Sequence, residues 1–308
     1  MSRNLLWAVG GTLLNAGQVL LLAPFFQGVL RKVTARIQSR QGPPLLQPYF
    51  DLLKLLDKED LESGESPPMQ RFAAYLALAT VLTLAGLVPL GMTAPLNGAG
   101  DVILLVYLLT LAGVCTLLAG LAAGSTYASV GISREMMSMI ALEPLFAIAV
   151  VVGAIRAHSF RLDAVLAGSA YAGDGFPWSG VIMAAVILLS FQAFVQRVPF
   201  DIAEAETELM EGPLMEYSGP KLALFKWAQM VKLILYSALF VALFVPWGAG
   251  LPGPVAWLVF WVKLAALVLL VTAVAATHAR YRIDQALRYF ACLLVAAFAA
   301  LLLAGYGY

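Results

Sequence analysis

Residues 102–123 read VILLVYLLTLAGVCTLLAGLAA, twenty-two positions without one charged side chain. As a helix rising 1.5 Å per residue this run is about 33 Å long, enough to cross the roughly 30 Å hydrocarbon core of a bilayer. It is also apolar on every side, which a surface helix of a soluble domain is not. Working outward along the chain, seven further stretches qualify, at roughly 5–30, 72–93, 136–155, 179–196, 222–245, 254–276 and 287–305. The whole sequence agrees with them. Of its 308 residues 61% are hydrophobic and 12% charged, with a mean hydropathy of +0.86, where soluble proteins run near 45–50% and about 25%. A spanning chain satisfies its backbone internally, and helices do so within one segment. The expected fold is therefore all-α: a polytopic membrane helix bundle of eight transmembrane helices, forming a single integral membrane domain over 1–308. The first stretch is too long for a signal-peptide core and no small-residue cleavage site follows it, so it counts as a span. No repeat of 20–50 residues is visible.

Several function classes drop out at once. A net charge of +1 gives no broad basic face for nucleic acid. Cys115 and Cys292 sit singly inside apolar runs, with no C-x-x-C pair, and read as small buried hydrophobes. His158 and His278 are isolated in loops. No phosphate-binding, dinucleotide or nucleophile-elbow motif occurs. The expectation is a chain with no catalytic residue, no metal ligand and no cofactor of its own.

Orientation follows from Lys and Arg. The connections after spans 1, 3, 5 and 7 carry 13 of the 19, and the tails and remaining connections 3. By the positive-inside rule both termini face outward, on the periplasmic side of a plasma (inner) membrane, and the odd-numbered loops face the cytoplasm.

Two of those cytoplasmic loops are unusual. The first turns at Gly42-Pro43-Pro44, where proline cannot continue a helix, and then runs from Leu45 to Lys58. Tyr49, Leu52, Leu53 and Leu56 recur at helical spacing, with Asp51, Lys54 and Lys58 off the stripe, which predicts an amphipathic helix at the cytoplasmic membrane surface. It could be a plain surface anchor or a docking site. The other loop follows span 5 and holds Asp201, Glu204, Glu206, Glu208, Glu211 and Glu216, with no base between Arg197 and Lys221. If 200–211 is helical, Asp201, Glu204, Glu208 and Glu211 fall on one side, where close like charges disfavour full ionisation. A solvated acidic face is the plain alternative. Interleaved Ile202, Leu209, Met210, Leu214 and Met215 favour burial at the membrane edge.

Ionisable groups also enter the spans. Glu135 and Glu143 lie at the start and middle of span 4, Lys226 and Lys232 in span 6, and Lys263 in span 7. A charge at the bilayer centre costs about 2.5–3.5 kcal/mol on insertion scales, so such groups pair or line a polar path. Lys226 and Lys263 are near enough to span ends to reach the interface. Glu143 is not, and Pro144 beside it leaves a carbonyl one turn back without its usual partner, a fitting place for a proton station.

These same segments carry a resemblance. Ala35-Arg36-Ile37-Gln38-Ser39-Arg40-Gln41-Gly42-Pro43 resembles the A-R-x-Q-x-R-x-G-P motif of the respiratory complex I subunit 1 family. Pro199-Phe200-Asp201-Ile202-Ala203-Glu204-Ala205-Glu206, continuing to Glu216-Tyr217-Ser218-Gly219, resembles its P-F-D-x-x-E-A-E…E-Y-S-G loop. Arg280-Tyr281-Arg282-Ile283-Asp284-Gln285 resembles its R-x-R-x-D-Q element. Within the family, the run from Glu208 through Gly212-Pro213-Leu214 to Gly219, together with Gly131-Ile132-Ser133-Arg134-Glu135 and Leu142-Glu143-Pro144, is similar to the hydrogenase branch, the membrane subunits of formate hydrogenlyase and hydrogenase-4 complexes. Arg282-Ile283-Asp284-Gln285 leans instead toward complex I.

The resemblance implies a non-catalytic membrane anchor and coupling subunit of a group 4 [NiFe]-hydrogenase complex. Its partners would be hydrogenase large and small subunits, a ferredoxin-like iron–sulfur subunit and antiporter-like membrane subunits. The [NiFe] centre and iron–sulfur clusters would sit in those partners. Arg36, Arg40, Tyr49, Asp51, Arg280, Arg282 and Asp284 would dock the cytoplasmic arm. Glu135, Glu143, Asp201, Glu204, Glu206, Glu208, Glu211, Glu216 and Lys232 would relay its redox state to H+ or Na+ movement. The alternative within the family is the quinone-site subunit of an NADH:quinone oxidoreductase. A stand-alone transporter would be expected to show matching broken spans, which are not seen, and a purely structural anchor would leave Glu143 unexplained.

Overall fold

The computed structural model describes residues 2–61, 66–171, 176–203, 210–248 and 251–307. Ten α-helices occur among them: α1 (Ser2–Ile37), α2 (Gln47–Leu56), α3 (Pro67–Leu87), α4 (Val102–Ala123), α5 (Thr126–Arg156), α6 (Leu162–Val165), α7 (Trp178–Phe194), α8 (Gly219–Phe244), α9 (Gly253–Thr277) and α10 (Ile283–Gly305). No strand forms among the described residues, only one isolated bridge between Asp101 and Arg161. Seven of the helices are long and apolar enough to cross a membrane. The eighth expected span, α7, has 17 residues, about 26 Å by helical rise and a little short of the bilayer core.

Boundaries moved where capping and proline chemistry outweigh hydropathy. The expected loop before span 4 shrinks to Gly124-Ser125. Gly124 ends α4 in the left-handed conformation (φ 67°), and the Ser125 hydroxyl accepts from the amide of Ala128 to start α5. Arg134 and Glu135 thus lie inside a helix. Pro144 is accommodated within the same helix. Helix α1 continues to Ile37 and carries Arg31, Lys32 and Arg36 with it. Helix α3 begins at Pro67, where a missing amide hydrogen costs nothing, and stops before Val88-Pro89.

Helix α8 is the axis of the bundle, with 78% of its most apolar window buried, against 33% for α9 and 28% for α10. Helices α1, α2, α3, α7 and α9 pack around it, α4 and α5 join beyond α3, and α10 lies against α5 and α7. The connections segregate to two faces. On one, Lys221 pairs with Asp60 at 3.2 Å, Arg197 donates to Gln27 at 2.5 Å and the amide of Tyr281 donates to the carbonyl of Pro199 at 2.9 Å. On the other, the amides of Val102 and Leu162 donate to the carbonyls of Phe160 and Gly100. The loops rich in Lys and Arg therefore share one face.

Helix α2 lies on that face against α1 and α8, burying Pro48 and Leu52. Its apolar side chains are split between two sides, since Phe50 and Leu53 are 57% and 62% exposed. The first loop clings to α1 because residue 28 is glycine: a Cβ there would come within 1.9 Å of the Leu45 carbonyl oxygen.

Candidate functional site

The acidic loop departs from the expected helix at its start. Phe200–Ala203 is not helical, so Asp201 does not sit on a shared helical face. Phe200 is buried among Tyr281, Tyr289 and Phe290, which anchors the segment before any helix can begin. Asp201 instead receives a hydrogen-bonded ion pair from Arg280 at 2.9 Å, both side chains being largely buried. Glu204, Glu206 and Glu208 lie outside the described residues. Beyond them Glu211 is exposed and pairs with Lys226 at 3.1 Å, and Glu216 is half-buried.

Gly212–Leu214 forms a short 3-10 turn wedged against α4 and α5. A Cβ at Gly131 would fall 2.9 Å from the Pro213 ring, so two of the segments singled out in the sequence meet face to face. Tyr217 closes the segment by donating to the carbonyl of Ala119 at 3.0 Å, and burial pushes its phenol well above the ordinary range.

An internal cavity lies between α4, α5, α7, α8 and α10. Glu135, Glu143, Lys232, Asp201, Gln196, Ser138, Thr110 and Tyr236 line it, amid Leu, Met and Phe side chains. About 60 Å³ is open to water centres, several times the 10–15 Å³ that one water needs. Glu135 is 4% exposed, and its Oε1 accepts from Gln196 Nε2 at 2.6 Å. Thr110, whose hydroxyl donates to the carbonyl of Val106 at 3.1 Å, lines the cavity together with Glu143, and Lys232 exerts its charge on both glutamates. The Lys232 ammonium lies 5.9 Å from the centre of the Tyr236 ring, one turn along α8. Eight residues separate Glu135 from Glu143, about 12 Å along α5. The order of groups is Arg280–Asp201 at the loop face, then Glu135 with Gln196, then Lys232, then Glu143. Such a row can hand a proton between carboxylates through a few waters, with the lysine offsetting their charge.

Of the residues proposed for relay, the cavity thus gathers Glu135, Glu143, Asp201 and Lys232; Glu211 and Glu216 are not among its lining. Gln196, Thr110 and Tyr236 were missed in the sequence, because neutral polar residues in apolar runs carry no charge signal. Lys263 is a separate case. It donates to the carbonyls of Val245, at 2.8 Å, and Trp247 at the end of α8, closing a helix terminus.

The residues expected to dock an arm differ in their surroundings. Arg36 and Arg40 are exposed, Arg40 donating to Gln38 at 2.6 Å. Arg282 and Asp284 are exposed at the start of α10. Asp51 pairs with Arg31 at 2.7 Å and accepts from Gln47. Burial works to raise its carboxyl, but the bonds from Arg31 and Gln47 and the Arg31 charge outweigh that and hold it below the usual range. Tyr49 donates its hydroxyl to the carbonyl of Leu21 on α1, and Arg280 is held by Asp201, which lines the cavity.

Fold and cavity together define a polytopic helical membrane protein with a row of ionisable groups between its helices, Asp201 of that row being paired with Arg280. The chain belongs to the NADH dehydrogenase family, the family of respiratory complex I subunit 1, which it matches over residues 11–305. It is 39% identical over 233 residues to hydrogenase-4 component C of Escherichia coli (strain K12), covering 75% of this chain and 73% of that one. It is 33% identical over 243 residues to formate hydrogenlyase subunit 4 of the same organism, covering 77% of each. Among solved structures it resembles a chain of the membrane-bound sulfane sulfur reductase, an archaeal respiratory membrane complex, with 26% identity and a TM-score of 0.87 over 96% of this chain and 99% of that one.

Proposed function

We propose that this chain is the membrane anchor and coupling subunit of a group 4 [NiFe]-hydrogenase complex of the formate hydrogenlyase and hydrogenase-4 kind. The observation that carries the proposal is the cavity joining Glu143, Lys232 and Glu135 to the Asp201–Arg280 pair, on the face that holds Arg36, Arg40, Arg282 and Asp284. In this reading that face is cytoplasmic, both termini are periplasmic, and hydrogenase, iron–sulfur and antiporter-like subunits assemble around the chain. The chain itself performs no redox chemistry. A redox arm seated on loops 1, 5 and 7 changes the charge next to the acidic loop, and the buried groups answer by moving protons, a two-state element biased from one side. Isolating the complex through a tag on this chain tests the proposal. Nickel and iron–sulfur subunits should co-purify, and reversing Arg36 and Arg40 should release them.

The family description and a cleft of about 460 Å³ beside Arg31, Arg40, Arg197 and Thr34 favour one second reading, a quinone-site subunit. Turnover of the isolated complex that depends on added quinone would select it.

A further inference from the structure

The last turn of α7 and the stem that joins it to the acidic loop reach three other helices with three side chains. Gln192 donates to the carbonyl of Val271 on α9 at 2.8 Å. Gln196 donates to the carboxylate of Glu135 on α5 at 2.6 Å. Arg197 donates to Gln27 on α1 at 2.5 Å. Just beyond, the carbonyl of Pro199 accepts from Tyr281 and Asp201 pairs with Arg280. Gln196 also has a left-handed backbone, φ 52°, at the place where a helix most often ends on glycine. Glycine would close α7 without strain but has no side chain to reach Glu135. The fold alone has no use for glutamine there, whereas a buried carboxylate does: an amide donor fixes its orientation without competing for its proton.

We propose that Gln196 is a positioning residue that ties the buried Glu135 carboxylate to the stem of the acidic loop. This inference rests on the coupling reading above and adds to it the contact by which loop movement reaches the first buried acid. A shift of Pro199–Asp201 against Arg280–Tyr281 pulls on a stem only a few residues long, and its end holds Glu135. Proton transfer needs donor and acceptor held to within about 0.5 Å, so a small displacement suffices to open or close the path.

The test uses the intact complex in sealed vesicles and reads ions moved per electron transferred. Gln196→Leu should lower that ratio about tenfold. Gln196→Asn keeps an amide and tolerates the left-handed backbone better. It is one methylene shorter, however, which leaves roughly 4 Å to Glu135, beyond hydrogen-bond range, so it should fall likewise. Gln196→Glu restores length and donates only when protonated, so its ratio should recover toward low pH, a dependence a purely structural residue would not create. An infrared band that disappears in Glu135→Gln belongs to Glu135, and it should move in Gln196→Leu and Gln196→Asn whether or not the complex pumps ions. A wild-type ratio in Gln196→Asn, or an unmoved Glu135 band, overturns the proposal. Should Gln196→Leu fail to assemble, Gln196→Asn decides. Full pumping by Glu143→Gln would instead overturn the coupling reading, leaving the infrared result to judge Gln196 by itself.

Discussion

Replacing Glu143 with glutamine keeps the shape of the side chain and removes its exchangeable proton. Glu143 stands seventeen residues into α5, about 26 Å from its loop-face end, deep in the span. Glutamine is nearly isosteric with glutamate and adds no volume, so the packing of α4 on α5 should hold and assembly should be normal. The effect on transport follows from what a proton must do without a carrier there. An uncompensated charge at this depth costs about 2.5–3.5 kcal/mol, and each 1.36 kcal/mol is tenfold in rate. Translocation should slow by about 70- to 400-fold if this is the only route, and by at least about tenfold if cavity waters partly bypass the site. The assay is acidification of sealed vesicles holding the whole complex, with electron transfer from the arm to an artificial carrier measured alongside. Undiminished pumping at normal electron flux would refute the reasoning and leave the Glu143 carboxylate with a structural role.

Other expected outcomes follow from other parts of the molecule. Gly131→Ala drives a methyl to 2.9 Å from Pro213; overpacking of this kind costs about 1–3 kcal/mol, and thermal melting of the purified complex should register it. Asp60→Ala leaves the 4% exposed Lys221 without one of its contacts, and since Asp60 is itself part-exposed the loss should be about 1–2 kcal/mol, below that of a fully buried pair; the same melt reads it. Asp51 has a depressed native pKa, so its stabilising contribution is complete above its ordinary value near pH 4 and is lost as pH falls through the lower native value. Limited proteolysis of the first loop should accelerate below that point in wild type, and much less so in Arg31→Ala. A reporter inserted next to Lys58 should be cytoplasmic and one joined at the C-terminus periplasmic; the opposite labelling would overturn the docking proposal.

Hydropathy alone located the spans, because a run such as Val102–Ala123 has no other stable home, and it located Glu143 and Lys232 for the same reason. It failed at the ends, where single residues decide. Gly124-Ser125 compresses a twelve-residue expected loop into a two-residue turn, and the cap of Ser125 then carries Glu135 into a helix. It failed at Asp201 for a different reason. Six carboxylates in sixteen positions suggest a helical face, but Phe200 sinks into an aromatic cluster and Asp201 answers to Arg280, seventy-nine residues away. Periodicity reports local structure, and this contact is not local. Gln196 was least visible of all, since its meaning lies in a positive φ and in a partner on another helix.

The polar groups in the cavity add little that stability requires. Placing Glu135 and Lys232 among apolar helices costs both much of their hydration, and well-packed hydrophobes of similar volume commonly do as well or better. The buried side of α3 shows plainer packing: Ala73, Ala74, Ala77 and Ala85 line it, and its buried polar side chains, Gln70 and Thr80, are uncharged and donate to backbone carbonyls. A bundle able to close without a buried charge at α3 could have closed that way at α5. Instead α5 carries two glutamates twelve ångströms apart by helical rise, α8 supplies a lysine that acts on both, and the space between the helices is left open to water. The outer end of this arrangement is wired to the loop face through Asp201 and Arg280. Stability gives no reason for that combination, whereas the proposed coupling role would require one of this kind.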